Sequence, residues 1–178
     1  MWRVLRVFFD DPNPSGAGLQ LREISRKAEI APTSVKNYLN ELTDDKKHGY
    51  PLVIKSKHRI YKYPVYWANR ASDLFRYYKK LDMIDRIKNS GLLDYLYDKC
   101  TPDVIILFGS ASHGEDLKES DIDIFLQCND RKLDLSKFEE ALNRKISLFF
   151  ASDFMKLSSE LKNNIMNGII LKGRLDVF

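Results

Sequence analysis

Two short apolar runs, DVIILFGS at 103–110 and SDIDIFLQC at 120–128, constrain this chain more than any other feature. Each has the length and β-branched content of a buried strand, and the ten residues between Ser110 and Asp121, ASHGEDLKES, form a polar junction. Aspartate fits a pleated, half-buried surface badly, yet the second run carries Asp121 and Asp123. Strand alternation puts Asp121, Asp123 and Phe125 on one face, and Ile122, Ile124 and Leu126 on the other. Two like charges that close repel, so one tends to protonate. A divalent cation removes the conflict, and Mg²⁺ characteristically binds through one or two carboxylates plus substrate phosphates. Gly109 and Ser110 supply the complement. Glycine lets the backbone approach a phosphate, and its N–H and the serine hydroxyl can hold phosphate oxygens. A phosphate seat beside a carboxylate metal site is the equipment of metal-assisted phosphoryl or nucleotidyl transfer.

With 178 residues the chain has room for one medium domain or two small ones. No apolar run is long enough to span a bilayer, and the N-terminal MWRVLRVFFDDP, with arginines inside its apolar part, reads as an amphipathic helix and not a cleaved signal. The two cysteines, Cys100 and Cys128, sit in apolar surroundings and are expected as buried thiols in a reducing compartment, the cytoplasm. The net charge of +4 is unevenly spread: residues 1–70 hold 13 Lys/Arg against 7 Asp/Glu, and residues 71–178 hold 16 against 18. A basic front module joined to a slightly acidic back module is the implied organisation, the first facing a polyanion.

In the front half, DDPNPSGAG (10–18) breaks a first helical segment. LQLREISRKAEI and APTSVKNYLNEL then show helical spacing, with Pro32 suited to a first turn. The outer face of the second of these carries Thr33, Ser34, Lys36, Asn37 and Asn40, groups able to contact phosphates and base edges. LVIKSKHRIYKY follows as two β-prone runs around Ser56-Lys57-His58, a basic hairpin in which Lys55, Lys57 and Arg59 face a phosphate backbone. Residues 1–68 resemble a winged helix-turn-helix domain of prokaryotic and archaeal transcription regulators, which implies double-stranded DNA as partner and a homodimer on a palindromic site. Neither His48 nor His58 has a partner at metal-ligand spacing. A helical connector covers 69–91, and the Tyr and Phe positions between 75 and 97 are expected in a core.

From 92 to 178 the chain resembles the nucleotidyltransferase domain of the DNA polymerase β superfamily, on Gly109-Ser110, ten residues, then Asp121-x-Asp123, and most of all its minimal members. The resemblance implies an α+β fold with a mixed sheet flanked by helices, Mg²⁺ (or Mn²⁺) on Asp121 and Asp123, and an NTP seated at Gly109-Ser110. It implies transfer of a nucleotide to a protein or small-molecule hydroxyl, and one version modifies a helical HEPN-type toxin partner while the winged helix represses its own operon. The family pattern places a third carboxylate where this chain has Ser147, in KISLFF. That departure motivates the alternative, a transcription regulator whose nucleotidyltransferase fold senses a nucleotide or anionic ligand. Ser136 and Glu139 are expected to form a capping box, and Asp153 to cap a following turn.

Overall fold

The computed structural model describes residues 1–10, 18–45 and 49–175, and the chain divides into two compact units, Met1–Lys79 and Lys80–Phe178. His48 and most of the DDPNPSGAG break lie outside the described residues.

The first unit runs α1 (Trp2–Arg6), α2 (Leu21–Ala28), α3 (Pro32–Leu42), β1 (Val53–Lys57) and β2 (Pro64–Ala68). Val4, Leu5, Phe8, Ile24, Val35, Leu39 and Leu42, spaced at helical intervals, pack into one core with Leu52 and Tyr66. Helix α2 ends on Glu29 in the left-handed region (φ 53°), where Ser25 Oγ donates to Ile30 O at 2.6 Å, and α3 opens with Pro32 in its first turn. The turn of the hairpin differs from the expectation. Strand β1 continues through Lys57, the loop covers 58–63, and the second strand is Pro64–Ala68 instead of RIYKY. The reason is His58, whose Nδ1 accepts the N–H groups of Ile60 and Tyr61 at 3.3 and 3.2 Å. Its ring also stacks on Tyr61 and Tyr63. Local side-chain capping thus overrides the β preference of Ile60 and Tyr61.

Helix α4 (Asp73–Asn89) contains the boundary between the units, within the segment read as a connector. Its early residues Phe75 and Tyr78 join the first core, and its later residues Met83 and Ile87 join a second. Tyr77 and Tyr97 are exposed, so these two rings do not belong to a core as expected.

The second unit continues with α5 (Leu92–Cys100), β3 (Val104–Phe108), α6 (Gly109–His113), β4 (Ile122–Leu126), α7 (Ser136–Leu142), β5 (Ile146–Phe150), a single 3₁₀ turn at Phe154–Lys156, α8 (Ser159–Met166) and β6 (Ile169–Gly173). The sheet order is β5-β4-β3-β6, with β4 and β5 parallel and the other pairs antiparallel. This is a mixed sheet flanked by helices. All five residues of β3 are buried because both faces are covered. One face packs Ile105, Leu107, Ile122, Ile124 and Leu126 against Ile87, Leu92, Leu96, Phe138 and Leu142. The other packs Val104, Ile106, Phe108 and Phe125 with Phe154 and Ile165. Asp153 caps the 3₁₀ turn through Met155 N–H, as the sequence suggested. The capping box does not form. Ser136 Oγ donates to Asp134, while Glu139 accepts Ile146 N–H at 3.0 Å and so ties α7 to the start of β5. Both thiols are free, and burial, with Cys100 beside it, pushes the Cys128 thiol up to about 11. Among the described residues no helix is long and apolar enough to cross a membrane.

Candidate active site

Strand β3 delivers the chain to Gly109 at the edge of the sheet's second face. Gly109 takes φ +68°, a left-handed conformation that side chains resist. A Cβ there would lie 2.3 Å from Asp123 Oδ2, so only glycine lets the turn sit against that carboxylate. Ser110 follows in the short helix α6, which closes when Glu115 N–H reaches Ser110 O at 3.0 Å and Gly114 turns left-handed. Register explains why Asp123 meets this turn: Phe108 pairs with Asp123 across the antiparallel β3–β4 ladder. Asp123 is half-buried, and Asp121 is exposed just before β4. Burial first, and then the charge of Asp121, raise the Asp123 carboxyl above its ordinary range. The expected face is therefore present: both aspartates and the Gly-Ser turn converge at one end of the strands.

Ser147 lies opposite Asp123 in the parallel β4–β5 register, and its hydroxyl donates to Asp121 Oδ2 at 3.0 Å. The serine thus orients the exposed aspartate. Among the described residues no group of three or more His, Cys, Asp or Glu is placed to hold a metal. The Asp121 charge beside the Asp123 carboxyl, next to a glycine turn, fits a hard divalent ion bound through one or two carboxylates, as Mg²⁺ is.

Two features escaped the sequence reading. Arg144, just ahead of β5, forms an ion pair with Asp116 at 2.9 Å, with both side chains essentially out of solvent (2% and 0% exposed). Arg144 Nε also donates to Ser120 O at 2.6 Å. The polar junction that links Gly-Ser to the aspartates is thereby held at its middle and at its last residue by Arg144, which lies just ahead of β5. The second feature is aromatic: Phe108 and Phe149 meet edge to face, with ring centroids 5.1 Å apart.

The raised Asp123 carboxyl has a consequence for stability. A carboxyl raised on folding contributes stability below the ordinary carboxylate range, and that contribution is lost as pH rises through the raised value. At neutral pH without divalent ions, Asp123→Asn is therefore expected to melt higher than wild type. The difference should close below about pH 4, the ordinary range, and thermal melts across pH in chelator check it.

In the first unit, Thr33, Lys36, Asn37 and Asn40 are exposed on α3 and Ser34 is half-buried beside them. Lys55 and Lys57 are exposed on one side of β1, and Arg59 is exposed in the loop.

Neither a curated protein nor a solved structure matches the chain. Residues 90–175 match the family model described as Polymerase beta, Nucleotidyltransferase, just under half of the sequence. Gly109, Ser110, Asp121, Asp123 and Ser147 all fall inside that span, and residues 90–175 carry a nucleotidyltransferase-type fold.

Proposed function

We propose that the chain joins a Mg²⁺-dependent nucleotidyltransferase centre to a DNA-binding winged helix-turn-helix module. The observation that carries the catalytic half is the fit of left-handed Gly109 against Asp123 at the head of an Asp-x-Asp strand. In this reading, Gly109 N–H and Ser110 Oγ hold phosphate oxygens of an NTP, and Asp121 and Asp123 hold the ion. Mg²⁺ (or Mn²⁺), held by Asp121 and Asp123, would supply Lewis-acid stabilisation of the charge at the attacked phosphate. Ser147 keeps Asp121 oriented. An acceptor hydroxyl oxygen bonds to the α-phosphorus, the bond to the bridging oxygen breaks, and pyrophosphate leaves. The hydroxyl proton departs to a carboxylate or to water. The acceptor is a protein or small molecule, a HEPN-type helical partner being the specific version, and the protein acts in the cytoplasm.

The DNA-binding half rests on the exposed polar face of α3 followed by the basic hairpin β1–β2. Reading a palindromic operator makes the working form a homodimer. Lys57→Ala is expected to weaken duplex binding uniformly across sequences and to lower the slope of log K against log salt by about 0.9. Titrations at several salt concentrations check this, and an unchanged slope removes Lys57 from the interface.

Ser147 favours a second reading, a regulator that binds a nucleotide without transferring it. Incubation with α-labelled NTP and candidate acceptors separates the two. Label transferred in an Asp121- and Asp123-dependent manner supports the enzyme, and binding without product supports the sensor.

A further inference from the structure

We propose that Phe149 is the stacking surface for the nucleobase of the nucleotide bound at the carboxylate pair. The inference rests on the nucleotide-site reading above and goes beyond it by assigning the organic half of the ligand. Phe149 lies on β5, an outer strand, two residues past Ser147 and on the same face as Asp123, because Asp123 pairs with Ser147 and Phe125 with Phe149. Two residues of strand span about 7 Å, which separates the phosphate end of a nucleotide from its base by roughly the ribose between them.

Three observations set this ring apart from an incidental surface aromatic. Strand β4 lies between β3 and β5, so the Phe108–Phe149 contact at 5.1 Å crosses the face of β4 beside Asp123. Phe108 is 5% exposed and rests in the core with Phe125, so it holds the Phe149 ring from behind at no further ordering cost. Phe149 itself is 38% exposed, leaving ring surface open next to a site with polar groups for the phosphates alone. An aromatic side chain presented in this way accepts a base face and tolerates any base.

Calorimetry with two probes, Mg-ATP and Mg-tripolyphosphate, tests the assignment, since the second carries the phosphate charge without a ring. Wild type should bind ATP more tightly than tripolyphosphate. Phe149→Ala should lose roughly tenfold or more in ATP affinity and leave tripolyphosphate unchanged, while Phe149→Trp should retain ATP binding. Equal wild-type affinities for the two probes overturn the stacking role and leave the phosphate site standing. Unchanged ATP binding in Phe149→Ala does the same and turns the ring into a surface for some other partner. Equal weakening of both ligands in Phe149→Ala also overturns it, as a fold defect. If wild type binds neither probe, the nucleotide-site reading fails and this assignment falls with it.

Discussion

Arg144→Met should lower the melting temperature of the C-terminal unit by more than about 10 °C. Removing one member of a buried ion pair strands the other without its counter-charge, a loss of about 3–5 kcal/mol. In a domain of roughly a hundred residues each kcal/mol shifts the midpoint by about 4–8 °C. Asp116 and Arg144 meet these conditions, since their side chains are 0% and 2% exposed and joined at 2.9 Å. Arg144 also holds Ser120 O, one residue before Asp121, so the same change loosens the approach to the carboxylates. Asp116→Asn should produce a loss of the same kind. The double variant Asp116→Leu/Arg144→Met should recover much of it, because two apolar groups leave no buried charge behind. Single variants that melt within a degree or two of wild type would show that the pair does not hold the junction.

The second large effect concerns binding more than folding. Gly109→Ala adds a methyl group where Asp123 Oδ2 already stands at 2.3 Å, and does so at φ +68°. The left-handed conformation costs about 1–2 kcal/mol for an alanine, a tolerable loss. The carboxylate, however, must swing away, and disturbing the support of a metal-binding group typically costs about 10–100-fold in affinity. Gly109→Ala should therefore stay folded and lose at least about tenfold in Mg-nucleotide affinity, read by calorimetry beside a thermal melt. A folded variant with wild-type affinity would mean that the turn is not part of the site.

The parts of this protein legible from sequence are those written within a single element or across one short junction. The Asp121/Asp123 alternation and the Gly109-Ser110 turn are local patterns, and the structure brings them to the same end of the sheet. Helix α3 and its polar face were equally readable, because Pro32, Val35, Leu39 and Leu42 declare its start and its buried side. Contacts made at long range were not. Asp116 and Arg144 are 28 residues apart and neither belongs to a motif. The bond from Ser147 to Asp121 exists because β5 joins β4 in parallel, a pairing that no residue of KISLFF announces. The hairpin turn was misplaced for a different reason: Ile60 and Tyr61 look like strand residues, and the His58 side chain turns them into a loop. The expected capping box failed because Glu139 found the backbone of Ile146 instead.

Under the proposed function, residues 109–123 bind a metal-bound nucleotide. Calorimetric titration of NTPs with and without Mg²⁺, on wild type and Asp123→Asn, tests it most directly. Wild type should bind saturably in a manner that requires Mg²⁺, and a folded Asp123→Asn should lose that binding. Wild type that binds no NTP in the presence of Mg²⁺, or an Asp123→Asn variant that binds as tightly as wild type, would contradict it.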